Sequence, residues 1–254
     1  MPILTAAVVV LAAVAWHNGR HLVPQPWQDR AATAATVVGA GAASWWLFRR
    51  IDPLQGIEGA WAWTLAAVVP AGLVAVLARL SRRMGAVVSD RRMAQMSRGR
   101  FAAHVGIRIP VLTAFAEEVV HRGVVWWALE GVGGTTLALW GSTAAFALGH
   151  VVVARDQALR EGREGAATWT WVAATVVATA IAGLFLGWLR LRTGGIWAGV
   201  GVHAAVNMLL ALGGRFARRE PDEREPDECE PGESAGPTED VSASAQDGQP
   251  SRVP

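Results

Sequence analysis

Long apolar runs separated by short polar segments occupy most of the first 212 residues. The runs cover approximately residues 2–16, 31–48, 61–80, 109–129, 135–154, 169–189 and 195–212. A helix needs about 20 mostly apolar residues to cross a bilayer. The pattern therefore predicts an all-α membrane protein, a polytopic transmembrane helical bundle of about 7–8 helices.

Two of these runs carry local signals of their own. The first is short, and Ala13-Val14-Ala15 is similar to a signal-peptide cleavage site, but no basic segment precedes it. A retained helix is therefore the favoured interpretation. The fourth and fifth runs are joined by little more than residues 131–134, which contain three glycines, so a tight helical hairpin is expected there.

The charged residues are distributed unevenly. All 23 basic residues are Arg, and residues 220–254 hold eleven Asp or Glu against two Arg, which leaves a basic, apolar body. Residues 79–108 carry eight Arg and one acid, so the positive-inside rule places this segment in the cytoplasm. It is either a helix lying on the membrane surface or a solvated loop. Arg49-Arg50 and Arg190/Arg192 then fall outside, a conflict that a further span or a re-entrant segment would resolve.

Composition also limits the partners. The Arg residues lie between runs of membrane length, so the lipid bilayer is the expected partner and nucleic acid is not. Cys229 is the only cysteine, which rules out a disulfide framework or a thiolate metal site within the chain. The Pro-, Glu- and Asp-rich end cannot bury enough apolar surface to order itself.

These observations predict three regions. Residues 1–100 hold the N-terminal transmembrane helices and the basic cytoplasmic loop. Residues 101–212 form the candidate catalytic core, and residues 213–254 are a disordered acidic, Pro-rich tail.

The fourth apolar run contains a cluster of ionisable residues near its centre: Glu117, Glu118, His121 and Arg122. Each charged residue there costs about 2.5–3.5 kcal/mol on insertion scales. The i,i+4 spacing pairs Glu118 with Arg122 and Glu117 with His121. A buried pair roughly breaks even with apolar packing, so pairing alone is a weak reason for the cluster, although ion pairs that fix the helix register are one interpretation.

Two later runs place polar residues on single helix faces. Phe146 and His150 are spaced i,i+4 in the fifth run, and His203 and Asn207 are spaced i,i+4 in the seventh. At about 1.5 Å per residue, Glu117 lies about 12 Å, His203 about 14 Å and His150 about 6 Å from the cytoplasmic end of its helix. All of them therefore fit one polar pocket in the cytoplasmic half of the membrane.

Three motifs describe these residues: EExxxR at 117–122, FxxxH at 146–150 and HxxxN at 203–207. Their order and separation resemble the CPBP intramembrane protease family, which includes type II CAAX prenyl endopeptidases and bacterial abortive-infection and bacteriocin-immunity proteins. The resemblance covers about residues 100–212. His121 departs from it, because the family usually has an aromatic residue there. This side chain either adds an imidazole to the pocket or, as we prefer, pairs with Glu117.

The resemblance implies a membrane-embedded endopeptidase. It implies that Glu117 and His150 activate a water, and that His203 and Asn207 stabilise the tetrahedral oxyanion. The motifs frame no Ser or Cys nucleophile, so attack by water is the natural chemistry.

The remaining charged pair is expected to support this site. Glu118 and Arg122 are assigned to scaffolding it. Zn²⁺ is left open as a cofactor, since Glu117, His150 and His203 could supply three ligands and leave one position free, although the same chemistry works without a metal.

Two other functions are compatible with the sequence. A non-catalytic immunity or scaffold protein of the same family would carry the same motifs. A proton-coupled carrier would use Glu117, Glu118 and His150 as a relay, but internal repeats are not evident. The Lys-free, Ala- and Arg-rich composition is typical of a GC-rich bacterial genome. The expected substrate is therefore a membrane protein or peptide at the bacterial plasma membrane.

Overall fold

The computed structural model describes residues 2–19, 28–52, 54–81, 84 and 91–216, and these residues contain helices and no strand. The acidic tail that is predicted to be disordered covers residues 213–254. Residues 213–216 belong to the last helix, and the others lie outside the described part. The same holds for most of residues 82–90 in the basic segment. The prediction of three regions with these boundaries stays a prediction.

The helices follow the apolar runs. The first four are α1 (Pro2–Gly19), α2 (Gln28–Phe48), α3 (Ala60–Leu80) and α4 (Arg91–Gln95). A long helical stretch follows, made of α5 (Arg98–Ala103), the π-helical segment π1 (His104–Phe115), α6 (Ala116–Glu118), the π-helical segment π2 (Val119–Val125), α7 (Trp126–Gly149) and α8 (Val151–Arg160). The last two are α9 (Gly165–Thr193) and α10 (Trp197–Phe216).

Within the described residues, four helical stretches are long and apolar enough to cross a membrane. They are Ala60–Leu80, Arg98–Arg160, Gly165–Thr193 and Trp197–Phe216, and two shorter apolar helices cover Ile3–Gly19 and Thr33–Phe48. The predicted all-helical, multi-pass architecture is therefore confirmed, and the number of helices is compatible with the expected 7–8.

The helix that contains the fourth apolar run begins before the run itself. It starts at Arg98, where the hydroxyl of Ser97 accepts a hydrogen bond from the backbone N–H of Arg100 and caps the first turn. Residues 98–108, for which the sequence left a surface helix or a loop open, are helical, and the helix continues into the predicted span at 109–129. Because this cap satisfies a backbone N–H of the first turn, the helix can begin among arginines that hydropathy assigns to the aqueous side.

The acidic pair lies in a short α-helical turn between two π-helical segments. Pro110 lies within π1 and has no backbone N–H to give to a regular helical ladder. Single π-helical turns inside α-helices occur frequently at functional sites. The π-helical geometry on both sides of α6 therefore marks residues 116–118 as a candidate functional site from the backbone alone.

The hairpin predicted at the glycine-rich junction is confirmed. Helix α7 loses helical geometry at Gly133 (φ −140°) and Gly134 (φ 69°), and the latter conformation favours glycine. The ring of Phe146 lies 5.3 Å from that of His121, whereas 25 residues of straight helix would separate them by about 37 Å. The chain therefore reverses at these glycines and brings the FxxxH face back onto the EExxxR face.

Small residues let the other helices pack closely around this hairpin. A Cβ on Gly183 in α9 would lie 3.2 Å from Phe146, and one on Gly187 would lie 2.6 Å from Leu139. On the other side, α2 buries Leu47 completely against Gly123 in π2.

Candidate active site

Glu118 is the most enclosed acid of the site. Its side chain has no exposed surface, and its Oε1 accepts hydrogen bonds from Arg122 Nη1 at 3.0 Å and from His203 Nδ1 at 3.1 Å. The first partner is one helical turn away, as the i,i+4 spacing predicted, and the second comes from α10. Glu118 therefore joins the fourth apolar run to the last one.

Arg122 extends this connection to two more helices. Its Nη2 donates a 3.0 Å hydrogen bond to the carbonyl of Gly183 in α9, and its guanidinium carbon lies 4.3 Å from the centre of the Phe146 ring. The guanidinium is completely buried, and the carboxylate, the carbonyl and the aromatic face replace water around its Nη atoms, whereas Nε has no hydrogen-bond partner among the described residues.

Glu117 presents its two oxygens to two different imidazoles. Oε1 lies 3.7 Å from Nε2 of His17, and Oε2 lies 3.9 Å from Nε2 of His203. Both separations are electrostatic contacts that exceed hydrogen-bond length. The carboxylate is 1 % exposed but borders the cavity described below, so a small molecule in that cavity can reach it.

His150 lies at the bend between α7 and α8. Its Nδ1 is 2.8 Å from the carbonyl oxygen of Phe146, and because a carbonyl only accepts, Nδ1 carries the hydrogen. In a neutral ring the lone pair is therefore on Nε2. The sequence predicted that His150 and Glu117 come together, and the structure brings their polar atoms within 4.8 Å.

A cavity of about 600 Å³ connects these residues. Glu117, His150, His203 and Asn207 contribute to its wall, with Asn207 one helical turn beyond His203 on α10. Most of the remaining wall is apolar and comes from α3, α9 and α10, including Trp63, Pro70, Phe185 and Leu186. All of the predicted site residues therefore lie in or directly behind the wall of one cavity.

Phe146 forms the aromatic centre of the site. Its ring lies 4.7 Å from that of His150, 5.8 Å from that of His203 and 5.3 Å from that of His121. His121 is fully buried, and its ring also lies 6.1 Å from that of His17. The pairing of His121 with Glu117 stays a prediction.

His17 is the site residue that the sequence interpretation missed. It is 1 % exposed, and its ring centre is 4.5 Å from that of His150. The first apolar run covers residues 2–16, and His17 directly follows it. The available signal was an ionisable residue directly following an apolar run, in a chain with six histidines, since such residues at membrane depth are functional candidates.

Three side chains in the described part of the chain are close enough to share a metal ion. The polar atoms of His17, Glu117 and His150 lie within 4.8 Å of one another. Two imidazoles and a carboxylate with one position left open form a donor set suited to zinc. The ligand set considered from the sequence contained His203 instead, and that residue faces the other oxygen of Glu117.

A comparison with known protein families bears on these residues. The family model described as type II CAAX prenyl endopeptidase Rce1-like matches residues 100–209. The chain carries a CPBP-family domain. This Rce1-like domain runs from α5 to α10 and contains all three motifs, whereas His17 lies outside it. Neither the curated proteins nor the solved structures give a match.

Proposed function

We propose that the chain is an intramembrane endopeptidase that hydrolyses a peptide bond with a water activated by Glu117 and His150. Its Rce1-like domain belongs to a family of intramembrane proteases. The observation that carries the proposal is the juxtaposition of a buried carboxylate and an imidazole, within 4.8 Å of each other, on the wall of a mostly apolar cavity. Water in such a cavity can be held between two proton acceptors.

The proton transfers follow from the hydrogen-bonding of the two residues. The Phe146 carbonyl fixes the hydrogen on Nδ1 of His150, so Nε2 and the Glu117 carboxylate are the available acceptors. One of them takes a proton from water while the water oxygen attacks the peptide carbonyl. The same proton then passes to the leaving amine as the C–N bond breaks.

The negative charge that develops on the carbonyl oxygen of the substrate needs hydrogen-bond donors. His203 and Asn207 lie one turn apart on α10 and both reach the cavity. Glu118 holds the His203 ring through Nδ1, and this orients Nε2 towards Glu117 at the cavity wall. The imidazole N–H and the Asn207 amide are thus suited to an oxyanion, for which the loss of one donor typically costs about 10²–10³ in kcat.

Glu118 and Arg122 are assigned to positioning. Their buried pair contacts α9 through the Gly183 carbonyl and α10 through His203. These contacts hold the helix that bears Glu117 against the helix that bears the oxyanion donors. Neither group needs to exchange a proton during the reaction.

The wall of the cavity indicates the class of substrate. Aliphatic and aromatic side chains of α3, α9 and α10 surround the polar residues, so an extended apolar peptide segment fits better than a charged one. We therefore propose a membrane protein or membrane-bound peptide as substrate. The arginine-rich segment before α5 favours placing the site in the cytoplasmic half of the plasma membrane.

The test uses membranes from cells that express the full chain. Newly formed protein N-termini are compared among the wild type, Glu117→Gln and His150→Gln, with insertion checked by membrane fractionation. We expect a set of N-termini that is present with the wild type and absent with both variants. Glu130→Gln and His104→Gln, which change the same residue types away from the cavity, should cleave like the wild type. Undiminished cleavage by both site variants would refute the assignment, and the absence of any wild-type product would favour a non-catalytic role.

A further inference from the structure

We propose that His17, Glu117 and His150 bind one divalent transition-metal ion, with Zn²⁺ as the best match. The inference deepens the proposed function, on which it rests for the role of the ion but not for its binding. His17 comes from α1, more than eighty residues before the Rce1-like domain. The ligand set is thus a property of how this chain packs its first helix onto that domain.

The distances suit a shared ion. The three donor atoms lie within 4.8 Å of one another, and His17 Nε2 is 3.7 Å from Glu117 Oε1. A tetrahedral zinc with bonds of about 2.0–2.2 Å separates its ligands by about 3.4 Å. Side-chain movements on the order of 1 Å therefore bring all three groups into coordination.

The orientation of His150 supports the same conclusion. Metal-bound histidines usually donate their second ring N–H to a carbonyl or carboxylate, which fixes the tautomer. His150 already makes this bond from Nδ1 to the Phe146 carbonyl. Its Nε2 lone pair is consequently the one available to a cation.

The position of His17 is fixed by tight backbone packing. A Cβ on Gly149 would lie 2.9 Å from Cγ of His17, so the imidazole rests directly against the end of α7. The adjacent Asn18 bonds to Leu148 and Val152 on either side of the bend that carries His150. The two imidazoles are therefore held in a fixed relation before any ion binds.

Glu117 has one oxygen on the side of the other proposed metal ligands and one on the side of His203. Its Oε1 faces His17, whereas its Oε2 faces His203, whose Nδ1 is bonded to Glu118. The ion is thus assigned to the Oε1 side, and His203 stays available as an oxyanion donor. Zinc held in this way would keep a position for water and lower the pKa of that water. His150 would then act on the water through the ion, and Oε2 of Glu117 would be the group that accepts the proton.

The binding test uses purified full-length protein, stripped with a chelator and titrated with Co²⁺ as a spectroscopic probe and with Zn²⁺ for elemental analysis. We expect about one ion per wild-type chain. His17→Gln keeps the size of the side chain but is a poor ligand, so its affinity should fall by more than about 100-fold, beyond the usual effect of an outer partner. His203→Gln, which removes an imidazole next to the other oxygen of Glu117, should bind the ion like the wild type.

Several outcomes would overturn the inference. They are an absence of binding by the wild type, unchanged binding by His17→Gln, and a loss in His203→Gln as large as that in His17→Gln. Zn²⁺ should also raise the Tm of the wild type and not that of His17→Gln. His150→Gln should lose the ion as well. Because His150 is only half-buried, this variant tests the site even if His17→Gln fails to fold.

The two proposals fail separately. Metal content is measured without substrate, so it does not depend on peptide cleavage. Cleavage that requires Glu117 in a protein that binds no ion would remove the metal site and leave the proposed hydrolysis intact. A wild-type protein that binds an ion through His17 but cleaves no substrate would support the metal site and remove the proposed hydrolysis.

Discussion

The side-chain oxygen of Asn18 accepts a 3.0 Å hydrogen bond from the backbone N–H of Val152, two residues after His150. The amide nitrogen of the same side chain donates to the carbonyl of Leu148 at 3.1 Å. These bonds satisfy backbone groups on both sides of the bend between α7 and α8, which the helical ladder would otherwise leave open. Helix α1 thereby fixes the backbone that carries His150.

Removal of this bridge should affect both stability and catalysis. Asn18→Ala removes two hydrogen bonds to the backbone, one part-buried and one exposed, and each is worth about 0.5–1.5 kcal/mol. We expect a lower Tm and a lower kcat with a smaller change in KM, because His150 loses its orientation. Thr170→Ala removes a hydroxyl bonded within an exposed turn of α9 and should change stability by less than about 0.5 kcal/mol. Equal effects of the two substitutions would contradict the bridging role.

The buried pair of Glu118 and Arg122 should show strong coupling. Arg122→Met leaves the carboxylate and the Gly183 carbonyl buried without their cation, at a cost of about 3–5 kcal/mol. Adding Glu118→Gln removes the uncompensated charge, so the double variant should be more stable than Arg122→Met alone. Unfolding in detergent, followed for both single variants and the double variant, measures the coupling. Additive losses would indicate that the two groups do not act as a pair.

Gly199 should tolerate no larger residue. A Cβ there would lie 2.7 Å from Oε2 of Glu118, and that carboxylate is held through Oε1 by Arg122 and His203. Gly199→Ala should therefore cost about 1–3 kcal/mol through overpacking and should reduce cleavage as well. Gly72→Ala is the matched control, since nothing lies within 4 Å of its Cβ position in α3 and alanine favours a helix. A Tm for Gly199→Ala equal to that of Gly72→Ala would show that the acid moves freely.

Substitution of the proposed oxyanion donors should affect the rate more than binding. His203→Gln and Asn207→Ala should each lower kcat by about 10²–10³ while KM changes little, because their contact strengthens only in the transition state. Cleavage of a substrate identified from the N-terminus comparison gives both constants. A rise in KM at constant kcat would reassign the residues to substrate binding.

Much of this protein follows from local patterns in its sequence. Apolar runs of membrane length predicted the helices, and residues 131–134 predicted the hairpin, because glycine is the residue that readily adopts the positive φ found at Gly134. The i,i+4 spacing predicted that Glu118 and Arg122 share a helix face and that His203 and Asn207 share another. Helical periodicity determines such faces without reference to the rest of the fold.

The contacts between helices were decided only by the tertiary structure. His17 and Glu117 are separated by a hundred positions, and no local pattern says that α1 packs on the end of α7 or that Glu117 turns one oxygen to each side. The start of α5 at Arg98 likewise depends on a cap from Ser97, which hydropathy does not register. Sequence alone determined which residues face inward from each helix. The packing of one helix surface against another decided which imidazoles meet the carboxylate, because close approach depends on the shapes of both surfaces together.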